Sequence, residues 1–192
     1  MQAPQRRVDG DEIERLGRRL AQVIALPAGR PAAVLVLLYR KGGLLRVALT
    51  ERTANVQHHR GQISFPGGSC DPADLDYWAT ALREAREEVG LWEPPRRLGF
   101  LPPLFIPVSG FAVAPCVAHL AAAPSLAPAS GEVAALLEPG LAELWPTEAW
   151  EDVPLRGGFL RMPYYVWRER RIWGATARML HALRGCLEDP AQ

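Results

Sequence analysis

"GQISFPGGSCDPADLDYWATALREAREEVGL" runs from Gly61 to Leu91 and gathers Glu84, Glu87 and Glu88 at its end, with Arg83 beside them. Pro72 and Asp74 supply a helix start and Gly90 a stop, the asymmetry expected of helix termini. Within that helix the three glutamates sit at i, i+3 and i+4, so their carboxylates project from one side. Arg83 lies four residues before Glu87 and can pair with it. Like charges at this spacing repel, and a divalent cation relieves the repulsion. Hard oxygen ligands suit Mg2+ or Mn2+, and magnesium keeps several waters and completes its shell with substrate phosphates.

A solvated helix face carries similar acidic strings. Here Ala81, Leu82, Ala85, Val89 and Leu91 give the helix a buried side, and Gly67-Gly68 precede it in place of a simple cap. Two glycines allow close backbone approach or positive φ, and are expected against a phosphate or a neighbouring strand. Spacing alone leads to a metal-and-phosphate site and names no reaction.

Outward from this stretch, the spacing of Ile13, Leu16, Leu20, Val23 and Ile24 predicts an amphipathic helix over 11–25 behind Asp9 and Asp11, cut off by Pro27 and Gly29. "AAVLVLLYR" (32–40) reads as a buried strand, and Lys41-Gly42-Gly43 turns it into a hairpin with "LLRVALTER" (44–52). Residues 62–65, 97–101 and 111–120 are strand-like; 121–131 is a surface connection; 132–150 is a short helix plus loop. A hairpin or strand pair over 162–174 and a closing helix over 175–188 complete the chain, with Met179, Leu180, Leu183 and Leu187 on one helix face. This order predicts one α/β domain in which helices sandwich a mixed sheet.

Composition narrows the classes. The length of 192 residues suits a single domain. A net charge of +1 gives no field to attract nucleic acid or a membrane surface. No apolar run approaches the roughly 18 residues of a membrane helix, and the N-terminus lacks a secretory signal's apolar core. Cys70, Cys116 and Cys186 are odd in number and widely spaced, which argues against a disulfide framework or zinc site and fits a reducing cytoplasm.

The residues resemble the Nudix hydrolases, whose pattern is G-x5-E-x7-R-E-U-x-E-E-x-G-U with U apolar. Arg83, Glu84, Ala85, Arg86, Glu87, Glu88, Val89, Gly90 and Leu91 match its second half without exception. The first half departs from it: counting from Gly68, the sixth position is Asp74, and eight residues separate it from Arg83. That variant resembles the coenzyme A diphosphatase branch. "LTERTANVQHHRGQISFPGG" (49–68) is similar to the branch's upstream signature through Arg52, Thr53, His59, Gly61, Gln62, Phe65 and Pro66, with Val56 in place of leucine. "RIWGATARML" resembles another of its segments at Ile172 to Ala177.

The resemblance implies an α/β/α sandwich with the signature at 68–91, and water attack on the diphosphate of coenzyme A. It implies that Glu84, Glu87 and Glu88 hold Mg2+ or Mn2+, with Gly68 giving a backbone contact and Arg83 orienting a glutamate. The general base stays open between Glu87 or Glu88 and a loop carboxylate, for which Glu132, Glu138 and Glu143 are candidates. Arg52, His59, Arg60 and Gly67 are candidates for substrate binding, the basic ones for an extra 3′-phosphate; His59 also suits a structural hydrogen bond. Thr176 is expected to cap the last helix, and Trp145, Trp150, Trp167 and Trp173 suit core packing more than adenine stacking. Cys70 has nothing nearby to make it a nucleophile. The implied partner is a small molecule, with a homodimer possible, and neither nucleic acid nor membrane. Rival readings are another nucleoside diphosphate substrate (NADH, ADP-ribose, a nucleotide sugar, an oxidised nucleotide) and a non-catalytic nucleotide sensor. Sensors usually lose glutamates that this chain keeps.

Overall fold

A strand that is apolar on both sides needs cover on both sides, and the first strand sets the architecture for that reason. The computed structural model describes residues 10–53, 61–155 and 158–188; Val56, His59 and Arg60 lie outside them. The helices are α1 (Gly10–Arg19), α2 (Tyr77–Val89), α3 (Leu141–Leu144) and α4 (Gly174–Leu187), with a 3-10 turn at Trp145–Thr147. The strands are β1 (Arg30–Lys41), β2 (Leu44–Val47), β3 (Leu49–Arg52), β4 (Ile63–Ser64), β5 (Gly67–Ser69) and β6 (Arg96–Phe100). They continue with β7 (Leu104–Ile106), β8 (Phe111–Leu120), β9 (Val133–Leu137), β10 (Ala149–Leu155), β11 (Gly158–Trp167) and β12 (Arg170–Ile172).

β1 pairs in parallel with β8, from Arg30↔Phe111 to Tyr39↔Leu120, and antiparallel with β2 and β5. β6 and β7 add antiparallel to β8, so the main sheet is mixed, as expected. On one face Ala33, Leu35, Leu37 and Tyr39 meet Trp78, Ala81, Ala85 and Val89 of α2. On the other, Val36 and Leu38 join a core with Leu16 and Leu20 from the α1 side, Leu49, Ile63, and Leu180 and Leu183 of α4. Two smaller sheets, β4-β3-β9 and β10-β11-β12, flank this arrangement. No described helix is long and apolar enough to cross a membrane.

Several boundaries differ from the sequence reading. The second arm of the first hairpin splits at Ala48: β2 stays on β1, while β3 leaves to pair with β4 and β9. The 132–150 region contains β9, because its Val133, Ala135 and Leu137 edge finds β3. The three-residue β7 is too short to show a period. α2 begins at Tyr77, where the Asp76 carboxylate accepts from the Ala79 N–H at 2.7 Å, later than the Pro72/Asp74 start.

The first helix also stops early, at Arg19 instead of 25. Backbone pairing with β6 outcompetes another helical turn: Ala21 and Phe100 exchange N–H···O bonds of 3.2 and 2.8 Å, and Gln22 Nε2 donates to the Leu98 carbonyl at 3.0 Å. Val23, expected on the buried face, is 85% exposed. This crossing needs Gly99, whose φ is +142° and whose notional Cβ would lie 2.7 Å from Leu20 Cβ and 2.8 Å from the Ala21 oxygen. Gly99→Ala is therefore expected to cost about 1–3 kcal/mol through overpacking and backbone strain, lowering the melting temperature without loss of helical circular dichroism. A variant melting with the wild type would refute this account.

Candidate active site

Strand β5 is squeezed between β1 and α2. Gly67 and Gly68 stand opposite Val34 and Ala33 in the antiparallel ladder, so the glycine pair does lie against a neighbouring strand. On its other side Gly68 faces the glutamate helix so closely that a Cβ would sit 2.6 Å from the Glu84 carboxylate. The Gly67 N–H donates to Glu88 Oε2 at 3.2 Å. Gly90 ends the helix in the left-handed region, as expected, with its N–H directed to the carbonyls of Ala85 and Arg86.

Arg83 organises the acidic face. Its Nη1 donates to Glu84 Oε1 at 2.7 Å and to Glu87 Oε2 at 3.5 Å, and its Nη2 to the Ser69 carbonyl at 3.1 Å. The expected Arg83–Glu87 pair is present, but it is the longest of these contacts. The strongest anchor is Asp74, whose carboxylate takes Arg83 Nε at 3.2 Å and Nη2 at 3.1 Å, together with Thr80 Oγ1 at 2.8 Å and the Asp71 N–H at 3.0 Å. The Arg83 guanidinium, helped by the Asp71 amide and the Thr80 hydroxyl, holds the Asp74 carboxyl well below the usual carboxylate range. Asp74, followed by Glu84, raises the affinity of Arg83 for its proton. In the sequence Asp74 reads as a helix start and as a departure from the family pattern; the cap is Asp76 instead, and the position of Asp74 six residues after Gly68 is the signal for its role as an anchor.

Glu88 differs from its neighbours. It is 7% exposed, and burial pushes its carboxyl up to about 7, reinforced by the negative fields of Glu84 and Glu132 and opposed by the Gly67 N–H and Arg52. A buried carboxylate among like charges suits a hard cation, and Gly68 leaves space beside Glu84 that any side chain would fill. The donor set therefore fits a divalent ion. Among the described residues no three His, Cys, Asp or Glu side chains converge on one point, and Arg83 stands between Glu84 and Glu87.

The outer carboxylates separate clearly. Glu138 accepts from the Tyr39 hydroxyl and from Lys41 Nζ, both at 2.6 Å. Glu143 Oε2 accepts from the Gly140 N–H at 3.0 Å and Trp167 Nε1 at 3.3 Å. Both serve the fold. Glu132 is exposed, and the segment before it is strapped to the end of α2 by Ala129 N–H to Glu88 O at 2.9 Å and Ala127 N–H to Val89 O at 3.1 Å. Its own carbonyl accepts from the Thr53 N–H at 2.9 Å, and Val133 pairs with Arg52, so Glu132 lies beside Arg52, and the fields of both reach Glu88.

The remaining polar and aromatic residues are sorted by burial. Ser64 pairs with Thr50 across β4 and β3, with the hydroxyls 3.3 Å apart. Thr176 does not cap α4; it is buried and donates to the Ile63 carbonyl at 2.9 Å, because the core reaches it before the helix end does. Trp167 is in the core, whereas Trp150 and Trp173 are about half exposed.

The Asp74 anchor has a pH signature. Its folded-state pKa is depressed, so the stability it contributes is complete above the unfolded value near 3.9 and is lost as pH falls towards the folded value. Asp74→Asn should destabilise by about 2 kcal/mol at pH 7, and the gap to wild type should narrow at pH 3 in denaturant titrations. An equal gap at both pH values would show that the charge is irrelevant.

Comparison with known proteins places the chain in a family. A family profile described as NUDIX domain matches residues 29–154. The chain is 39% identical over 172 residues to the human mitochondrial coenzyme A diphosphatase NUDT8, covering 85% of this chain and 72% of the relative. It is also 39% identical over 146 residues to the uncharacterized Nudix hydrolase NudL of Pectobacterium atrosepticum, covering 73% of this chain and 74% of that one. A solved MutT/nudix family protein from Enterococcus faecalis has a TM-score of 0.54 at 15% identity, covering 93% of this chain and 74% of its own. The NUDIX domain of Shewanella oneidensis NrtR complexed with ADP ribose has a TM-score of 0.51 at 20% identity, covering 60% and 75%. These two structures share the fold. With the profile spanning most of β1 to β10 and relatives alike over most of the chain, this protein belongs to the Nudix hydrolase family, enzymes acting on diphosphate bonds.

Proposed function

We propose that the protein is a metal-dependent diphosphatase of coenzyme A or its derivatives, releasing 3′-phospho-AMP (adenosine 3′,5′-bisphosphate) and 4′-phosphopantetheine. The observation that carries this reading is the acidic cradle: Glu84 against a Gly68 that has no room for a Cβ, with buried Glu88 held at the Gly67 amide. The substrate assignment is supported by the upstream segment at 49–68 and by the identity to a coenzyme A diphosphatase.

Nudix hydrolases generally use divalent ions, and here Glu84, Glu87 and Glu88, with the Gly68 backbone, would hold Mg2+ or Mn2+. Such an ion supplies neutralisation of the diphosphate and a lower pKa for bound water. The chain's own residues do the rest. Arg83 positions Glu84 and Glu87 and is itself anchored by Asp74. The proton of the attacking water goes to a carboxylate of the cradle, Glu87 or Glu88, or to Glu132, whose field reaches Glu88; Glu138 and Glu143 are already committed. Arg52, whose positive field reaches Glu88, is suited to a substrate phosphate, and His59, Arg60 and Gly67 of the same stretch complete the phosphate-binding set. The three thiols are free, which suits a reducing compartment such as the cytoplasm.

The test is chromatographic product analysis with Mg2+ or Mn2+ and a panel of coenzyme A, NADH, ADP-ribose and 8-oxo-dGTP. Release of 3′-phospho-AMP from coenzyme A is expected, abolished by chelator and reduced at least about 100-fold in Glu87→Gln. Cleavage of another panel member with coenzyme A intact would move the substrate assignment elsewhere in the family. Binding without cleavage of any member would favour a nucleotide sensor.

A further inference from the structure

β1 and β8 run in parallel, and the pair Leu38↔His119 decides which side chains share a face at their far end. Side chains alternate between faces, so Arg40 and His119 both stand on the face of Leu38 and Val117, the one packed by α1. Arg96 of β6 lies directly opposite His119, on that same face with Leu98. Three basic side chains from three adjacent strands thus gather at one corner of the main sheet. Val34 and Ala33, which pair with the two glycines, lie about 20 Å back along β1 from Arg40. The glutamate helix covers the opposite face, so this corner is separate from the catalytic cradle.

The other cations here have acceptors. Arg96 is held by both carboxylate oxygens of Glu14, with Nη2 to Oε2 at 2.8 Å. Lys41 Nζ meets Glu138 at 2.6 Å, and Arg46 donates to the Lys41 and Glu138 carbonyls. Arg40 differs: its Nη2 is buried and has no acceptor among the described residues. A guanidinium keeps its proton, so it cannot escape burial by becoming neutral, and an unpaired buried donor costs stability. Burial, then the charges of Arg96 and Arg40, holds the His119 imidazole below its ordinary pKa, with Glu14 the acid that opposes them. At neutral pH His119 is uncharged and offers an N–H beside the guanidinium.

We propose that Arg40 and His119 form an anion site, outside the catalytic cradle, that takes the phosphate group of a small molecule. The guanidinium fork pairs with two oxygens of one phosphate, and the imidazole N–H is a third donor. A phosphate has an oxygen for each of these donors, whereas a carboxylate has two oxygens for three. Arg96 adds its positive field although its own hydrogen bonds are spent on Glu14. Two guanidinium charges against one carboxylate leave the corner with a positive excess that an anion neutralises. No residue of the cradle takes part, so the site stands independently of the coenzyme A reading.

NMR of the imidazole signals of the full chain tests this, with inorganic phosphate titrated at constant ionic strength and chelator present. The His119 signal is identified by its loss in His119→Gln. It should move saturably with phosphate and at least about tenfold more weakly with acetate. Arg40→Met should weaken phosphate binding at least about tenfold. Arg40→Lys keeps the charge without the fork, preserves the fold if Arg40→Met does not, and should bind with intermediate affinity. Arg52→Ala, at the cradle, should leave the response unchanged. A His119 signal that phosphate does not move would show that solvent alone serves Arg40, and would overturn the proposal. So would wild-type affinity in both Arg40 variants, an equal response to acetate, or loss of the response in Arg52→Ala.

Discussion

The molecule depends on one close approach. Strand β5 lies against β1 on one side and under the glutamate helix on the other, and this sandwich closes only because Gly67 and Gly68 bring no side chains into it. The ladder to β1 fixes the glycines to the most buried strand of the sheet. α2 is pressed onto that same strand by Trp78, Ala81, Ala85 and Val89. The carboxylates are therefore held by the hydrophobic core, although they carry none of its apolar surface.

That approach creates an electrostatic problem with a partial internal solution. Glu84, Glu87 and Glu88 stand on one side of a helix, and Arg83 is the cation on hand. Asp74 competes for the same guanidinium and holds it in place, so the arginine is oriented as well as paired. Glu88, buried, has the Gly67 N–H as its one direct side-chain partner among the described residues, and burial raises its pKa. Unneutralised negative charge facing a backbone floor is what the proposed divalent cation requires.

Sheet changes by the chain bring the remaining groups to this place. At Ala48 the backbone passes from β2 to β3, moving Arg52 off the main sheet and beside β9. The 127–133 segment then ties the end of α2 to β3 and brings Glu132 beside Arg52, within the electrostatic reach of Glu88. Glu138 and Glu143, only a few residues further, are drawn into contacts with Tyr39, Lys41 and Trp167 that secure the opposite end of β1 and the root of β11. Three carboxylates of equal chemistry thus take different tasks according to where a sheet edge leaves them.

The parts legible in the sequence are those determined by neighbours along the chain. Helical spacing places Glu84, Glu87 and Glu88 on one side, Gly90 ends the helix in a conformation glycine favours, and the apolar runs of β1 and β8 can only be strands covered on both faces. These features follow from the periodicity of a single element and need no knowledge of its partners. The tertiary structure alone decided that α1 yields to pairing between Ala21 and Phe100, that residues 133–137 become a strand, and that Asp74 is Arg83's anchor rather than a helix cap. It alone brought Glu132 within the electrostatic reach of Glu88 while drawing Glu138 and Glu143 into contacts of the scaffold. Each of those outcomes is a contact between segments whose meeting depends on strand order and register, and a carboxylate's identity along the chain carries no information about which sheet edge it will face.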